Sequence, residues 1–212
     1  MHNRYIKYFF LLLLTTDLLL SVLFIKNDHT EIEKIFSLPV LSKAAGQPKY
    51  VALTFDDGPS RKCTPVLLDG LKERDVHVTF FLMGKNIEGN EDIVKRMSDE
   101  GHLIGNHSYE HIQLTKAGPE AVCEAVEHTQ KQIEAITGKR PEYIRPPYGD
   151  WNEELEEEIG MTPVLWSVDS LDWKLQNTEQ IVRRVEKDVK NGDIILMHDI
   201  FPTSVEAALR IV

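Results

Sequence analysis

The chain has 212 residues and a formal net charge of -10, long enough for one domain with a full core plus an appendage. Residues 1–49 hold six Lys and Arg against four Asp and Glu, which leaves 18 against 30 in the remainder; that acidic part has no basic stripe to meet phosphates, which excludes nucleic acid and leaves neutral partners open. Cys63 and Cys123 lack C-x-x-C spacing, which excludes a zinc knuckle and a dithiol redox motif; they read as free thiols, with pairing outside the cell as the alternative.

Tyr8–Ile25, YFFLLLLTTDLLLSVLFI, is mostly apolar and as a helix spans ~27 Å. Arg4 and Lys7 give it a positive flank, which predicts an inside amino terminus. Asp17 opposes insertion by a few kcal/mol, which its apolar neighbours offset. No A-x-A site follows directly, so residues 1–26 are expected to be a retained signal anchor, with a cleaved signal peptide as the alternative. Residues 27–49, with Pro39, Gly46 and Pro48, read as a spacer to a domain over 50–212. That domain is then expected outside the cytoplasm, on a single-pass membrane protein or, after cleavage, secreted.

Val51–Phe55 has the character of a buried strand. Asp56 and Asp57 follow at once, and Gly58-Pro59 forces a turn. Two carboxylates so close repel, so each needs its own cationic partner or one keeps its proton. The remaining elements alternate. A helix is expected over Thr64–Arg74, a strand over Val76–Met83, a helix over Ile87–Glu100 and a strand over His102–Gly105. A long helix over Ala117–Thr137, closed by Gly138, precedes a strand at Tyr143–Arg145 and a helix at Asn152–Ile159. Then come a strand over Thr162–Val168, a helix over Thr178–Lys190 capped by Thr178, a strand over Asp193–Met197, and a helix beginning at Ser204. Alternation of this kind implies a parallel sheet or barrel. A closing barrel leads from that helix into one more strand, so the expectation is a C-terminally incomplete domain.

Polar groups cluster just after the strands, where such folds carry chemistry. His107 and His111 are four apart in HSYEH. On a helical turn both rings face one ion; otherwise they are two surface histidines. With Asp57 they make a two-His-one-carboxylate set that leaves a position open for water. Arg145, at the head of RPPYG, either pairs with the second carboxylate or makes a structural salt bridge. Trp173 in DSLDW belongs to the core or to the wall of a sugar groove. His198 follows the strand DIILM, and Asp172 can hold its ring and raise its pKa.

Five motifs, TFDDGP at 54–59, HSYEH at 107–111, RPPY at 145–148, DSLDW at 169–173 and LMH at 196–198, resemble in order those of the NodB-type polysaccharide deacetylases, carbohydrate esterase family 4. One such motif is weak; five in order are specific. The resemblance implies a distorted (β/α)7 barrel, here apparently lacking its last strand. It also implies one divalent metal, usually zinc, with cobalt, nickel and manganese as alternatives. By that resemblance Asp57, His107 and His111 are the metal ligands and Asp56 the catalytic base. Arg145 orients Asp56, His198 is the general acid, and Asp172 pairs with His198. Tyr148 offers its backbone N–H to an oxyanion, and Trp173 and Leu196 line the acetyl pocket. The implied reaction is N-deacetylation of N-acetylglucosamine in a cell-surface polysaccharide, peptidoglycan first. Chitin-type polymers, poly-N-acetylglucosamine and acetylxylan are the alternatives, and a non-catalytic glycan-binding module is the reading from a different class. No protein partner is predicted.

Overall fold

The computed structural model describes residues 49–212. The expected anchor and nearly all of the expected spacer lie outside the described residues. Among the described residues no helix is long and apolar enough to cross a membrane.

Seven parallel strands form one sheet in the order β5-β4-β3-β2-β1-β7-β6. They are β1 (Ala52–Asp56), β2 (Thr79–Leu82), β3 (Leu103–Asn106), β4 (Tyr143–Ile144), β5 (Thr162–Pro163), β6 (Val168–Asp169) and β7 (Ile194–His198). Among the described residues eight α-helices join or follow them: α1 (Thr64–Glu73), α2 (Gly84–Ile87), α3 (Glu91–Asp99), α4 (Pro119–Thr137), α5 (Glu153–Ile159), α6 (Asp172–Leu175), α7 (Thr178–Asp188) and α8 (Pro202–Ile211).

Strand alternation divides the chain between two faces. Leu53 and Phe55 of β1, Phe80 and Leu82 of β2, and Ile195 and Met197 of β7 pack outward into a core with helix residues such as Leu67, Val94, Ile181 and Val205. Each large apolar side chain so buried contributes about 1.5–3 kcal/mol. The intervening residues turn inward. Thr54 and Asp56 of β1 stand opposite Leu196 and His198 of β7, so two polar residues reach the site from adjacent strands in register. A second cluster, of Leu114, Val122, Val126, Ile144, Leu155 and Met161, underlies the far side.

Several expectations need correction. Thr162–Val168 is not one strand. Its two ends belong to opposite edges of the sheet, β5 pairing with β4 and β6 with β7. The chain between them reaches at most about 18 Å, so the sheet must curl until its edges nearly meet. Val164 N–H still bonds Ile144 O at 2.8 Å and Ser167 N–H bonds Ile194 O at 3.0 Å, which anchors the crossing at both sides. The helix expected over Ile87–Glu100 is two, broken where Gly89 takes a φ of 75°. The cap of α7 is Asn177, whose side chain accepts the Gln180 N–H at 3.0 Å, and Thr178 is the first helical residue. Gly138 closes α4 in left-handed conformation as expected, with a φ of 72°. Both cysteines are free, Cys63 buried and Cys123 exposed.

Candidate active site

The carboxylates separate because the chain turns between them. Asp56 ends β1 buried, whereas Asp57 takes a left-handed φ of 69°, which swings its side chain off the strand. A non-glycine residue in that region is strained and needs support. Asn86 Nδ2 donates to the Asp57 carbonyl at 2.7 Å, and Met83 N–H bonds Gly58 O at 3.1 Å.

His107 and His111 do not lie on a helical turn. Positive φ angles at Ser108 (61°) and His111 (59°) fold the segment into a loop, and their rings lie 4.9 Å apart between centroids. The loop is tied down by Gly84 N–H to Ser108 O at 3.0 Å and Lys85 N–H to Tyr109 O at 3.1 Å. Asn106 holds its root: Oδ1 accepts the Ser108 N–H at 2.8 Å and Nδ2 donates to Val126 O at 2.9 Å.

Asp57, His107 and His111 bring three ligand atoms within 4.8 Å of one another. Asp57 Oδ1 is buried without a hydrogen bond among the described residues; His107 Nε2 and His111 Nε2 lie 3.4 and 3.8 Å from it. An orphaned carboxylate oxygen facing two ring nitrogens suits a cation. His107 Nδ1 lies 2.6 Å from Arg145 O. A carbonyl only accepts, so Nδ1 carries the proton and Nε2 is free to coordinate, the usual support of a metal-binding histidine. Burial alone lowers the His107 pKa, but the Asp56 charge and neighbouring Asp57 outweigh it and raise it. Burial likewise raises Asp57, and His107, His198 and His111 outweigh it and lower it. His111 is lowered, by burial and then by His107. The residues present fit a divalent metal.

Arg145 is fully buried. Its Nη1 donates to Asp56 Oδ1 at 2.9 Å and to Thr54 Oγ1 at 2.6 Å. Its Nε and Nη2 donate to the carbonyls of Val164 and Leu165 at 3.0 and 3.1 Å, in the crossing between the sheet edges. The guanidinium lies between the rings of Phe81 and Trp166, 4.4 and 5.7 Å from their centroids. It therefore pairs with the second carboxylate, and the pair is buried.

His198 faces the same floor. Its Nδ1 lies 2.7 Å from Asp172 Oδ1, and its Nε2 lies 4.0 Å from Asp57 Oδ2. Burial lowers its pKa, but the Asp172 hydrogen bond and charge, with Asp56 and Asp57, raise it to about 9. At the rim Tyr148 is 66 % exposed, Trp173 51 % and Leu165 46 %. Trp173 is thus exposed rather than core. Tyr148 sits at a φ of 64° with its ring edge against His111. Leu196 is buried beneath, on the same strand face as His198. Nine of the ten residues the sequence marks lie at or just beyond the carboxyl ends of the strands, and Leu196 lies within β7, two residues before His198. No spacing or motif in the sequence distinguishes Asn86, Asn106 and Asp199 from other polar residues.

The sequence model of the polysaccharide deacetylases matches residues 43–164. The chain belongs to the polysaccharide deacetylase family. Among curated polysaccharide deacetylases it is 45% identical over 156 residues to the peptidoglycan-N-acetylglucosamine deacetylase PgdA of Listeria monocytogenes, covering 74% of this chain and 34% of that one. It is 36% identical over 161 residues to the chitooligosaccharide deacetylase of Rhizobium leguminosarum bv. trifolii, covering 74% of each. The solved structure of the peptidoglycan deacetylase PdaC from Bacillus subtilis superposes with a TM-score of 0.76 at 42% identity, over 78% of this chain and 82% of that one. The curled seven-stranded sheet is thus the polysaccharide deacetylase fold. The chain spans about a third of the length of PgdA.

Proposed function

We propose that this protein hydrolyses N-acetyl groups from N-acetylglucosamine residues of a cell-surface polysaccharide, peptidoglycan first, releasing acetate. One observation carries the reading: Asp56 and His198 stand opposite each other on β1 and β7, one held by a buried cation and the other by a buried carboxylate. A candidate base and a candidate acid are thus set apart beside the Asp57, His107 and His111 cluster.

Asp57, His107 and His111 would hold a divalent ion, zinc first, which would supply Lewis acidity to the acetamide carbonyl and lower the pKa of water. Asp56 has Oδ1 engaged by Arg145, while Oδ2 turns toward His107 Nε2, 3.8 Å away. That oxygen takes the proton of the attacking water. A C–O bond forms at the acetyl carbon, and the Tyr148 backbone N–H donates to the oxyanion. An amide anion is too basic to depart unprotonated, so His198, as imidazolium, gives its Nε2 proton to the nitrogen as the C–N bond breaks. Trp173 and Leu196 receive the acetyl methyl. Acetate and a free sugar amine leave.

Peptidoglycan is favoured because PgdA of Listeria monocytogenes and PdaC of Bacillus subtilis are both named for it. The apolar stretch over 8–25 supports a membrane anchor with the domain outside; protease added to wall-free cells then reaches the domain. The deciding experiment measures acetate released by zinc-loaded protein from acetylated chito-oligosaccharide, purified peptidoglycan and acetylxylan. Release from none of them, with binding retained, makes the protein a glycan-binding module instead.

A further inference from the structure

Asp199 directly follows the histidine that ends β7 and is fully buried. Its Oδ2 accepts the hydroxyl hydrogen of Thr64, at the start of α1. Thr64 Oγ1 in turn accepts the Ser60 N–H at 2.7 Å. Oδ1 of Asp199 is buried without a hydrogen bond among the described residues. Its carboxyl also presses on Gly58: a Cβ at that position would lie 2.3 Å from Oδ1 and 2.7 Å from Cγ. Only a residue without a side chain fits there. The seam has one more tie, from Cys63 Sγ to Ile200 O at 3.5 Å.

A polar side chain left half-satisfied in the interior is costly, and an apolar residue of similar shape is the cheaper solution for stability alone. The location gives the reason for keeping it. One carboxyl joins three pieces of chain: the strand end that carries His198, the turn that follows Asp57, and the first residue of α1. Asp172 fixes the His198 ring from the other side, but nothing in that contact ties the ring to the Asp57 turn.

We propose that Asp199 is a positioning residue, a buried strut that locks the end of β7 against the Asp57–Gly58–Pro59 turn and so sets the distance from His198 Nε2 to the ligand cluster. This rests on reading His198 as the general acid of a deacetylase. Because Asp199 is fully buried, it does not touch the glycan, and its loss acts on kcat rather than KM. A misplaced acid harms amides, whose nitrogen needs the proton, more than aryl acetates, whose phenolate leaves without one.

The test uses zinc-loaded parent, Asp199→Ala, Asp199→Asn and Thr64→Val on an acetylated chito-oligosaccharide and on an aryl acetate. Asp199→Ala is expected to lower amide kcat about 10–100-fold, as loss of a group that orients a catalytic residue does. Amide KM stays within about twofold and ester kcat within about threefold, the span of ordinary context effects on one contact. Asp199→Asn keeps the shape and the acceptor for Thr64 and recovers amide kcat. The His198 ring ¹⁵N signals of metal-free protein move in Asp199→Ala and hold in Asp199→Asn. Thr64→Val cuts the same seam with little change of shape and is expected to show the same selective loss, which answers for Asp199→Ala if that variant fails to fold. Equal losses on amide and ester, or unmoved ring signals, overturn the strut. A parent inactive on both substrates overturns the deacetylase reading, whereas an active parent with indifferent variants overturns this inference alone.

Discussion

Asp172 grips His198 twice: its Oδ1 lies 2.7 Å from the ring Nδ1, and its Oδ2 accepts the His198 backbone N–H at 2.7 Å. A third bond, from the Trp173 N–H to Oδ1 at 2.8 Å, fixes the carboxylate itself. That grip fixes the ring relative to α6, with Nε2 4.0 Å from Asp57 Oδ2. This contact also sets the ring's proton affinity, because the carboxylate favours the imidazolium.

The first prediction follows from that grip. As the proposed acid, His198 works only while protonated, so activity is expected to fall as pH rises through its pKa, which Asp172, Asp56 and Asp57 raise to about 9 without a metal. A cation on Asp57 acts the opposite way and moves the loaded enzyme's basic limb below that value. In Asp172→Asn the limb is expected at least about one pH unit lower still, since an adjacent charge is worth that much or more. A profile of kcat/KM against pH reads it, and an unmoved limb removes Asp172 from this role.

A second prediction separates ligand from base. Asp57→Asn and His107→Ala are expected to lose both zinc content and activity. Asp56→Asn is expected to keep zinc and lose activity by about 10²–10⁴-fold, the range for a general base. Chelator treatment of the parent is expected to abolish acetate release, and added zinc to restore it. Metal analysis beside the activity assay decides, and a zinc-free Asp56→Asn protein contradicts the division.

Arg145 supports the fold as well as the site. Arg145→Lys cannot supply donors to Asp56, Thr54, Val164 and Leu165 together. The expected loss is about 3–5 kcal/mol of unfolding free energy, as for a broken buried ion pair, with lower kcat. Urea unfolding measures it; a loss under about 1 kcal/mol is the figure for an exposed pair and contradicts the burial argument.

Asp199 makes stability depend on pH in an unusual direction. Burial, with the Asp57 charge adding to it, raises its pKa from 3.8 to about 7, against the Thr64 hydrogen bond and His198 that lower it. The folded state therefore holds this proton more tightly than the unfolded chain. The stability so gained is fully present below about 4 and is lost as pH rises through about 7. Asp199→Asn, neutral throughout, is expected to melt progressively higher relative to the parent from pH 5 to pH 8. Melting curves of metal-free protein test the sign, and a constant difference refutes it.

Much of the site is legible in the sequence because it depends on local order: polar residues immediately after apolar runs, as at Asp56, His107, Arg145 and His198. What was hidden depends on distant pairing or on backbone angle. Residues 162–168 read as a single strand because an apolar run looks the same whether its ends meet one neighbour or two. The spacing of His107 and His111 suits a helical turn, yet the rings meet through left-handed residues that carry no glycine to signal them. Asn86 reaches the Asp57 carbonyl and Asn106 the Val126 carbonyl, and such bonds between remote residues leave no periodic trace.

The crossing at 164–167 ties catalysis to local unfolding. β5 and β6, which it joins, are two residues each and lie at the sheet's edges, where fraying needs the least free energy. Arg145 clasps this crossing through two carbonyls and with the same guanidinium holds Asp56. When the edges fray, the clasp loosens and Asp56 loses its orientation together with them. Activity is then expected to disappear at a lower temperature than the helical signal, and amides near Val164 and Ser167 to exchange with solvent ahead of those in β1 and β2.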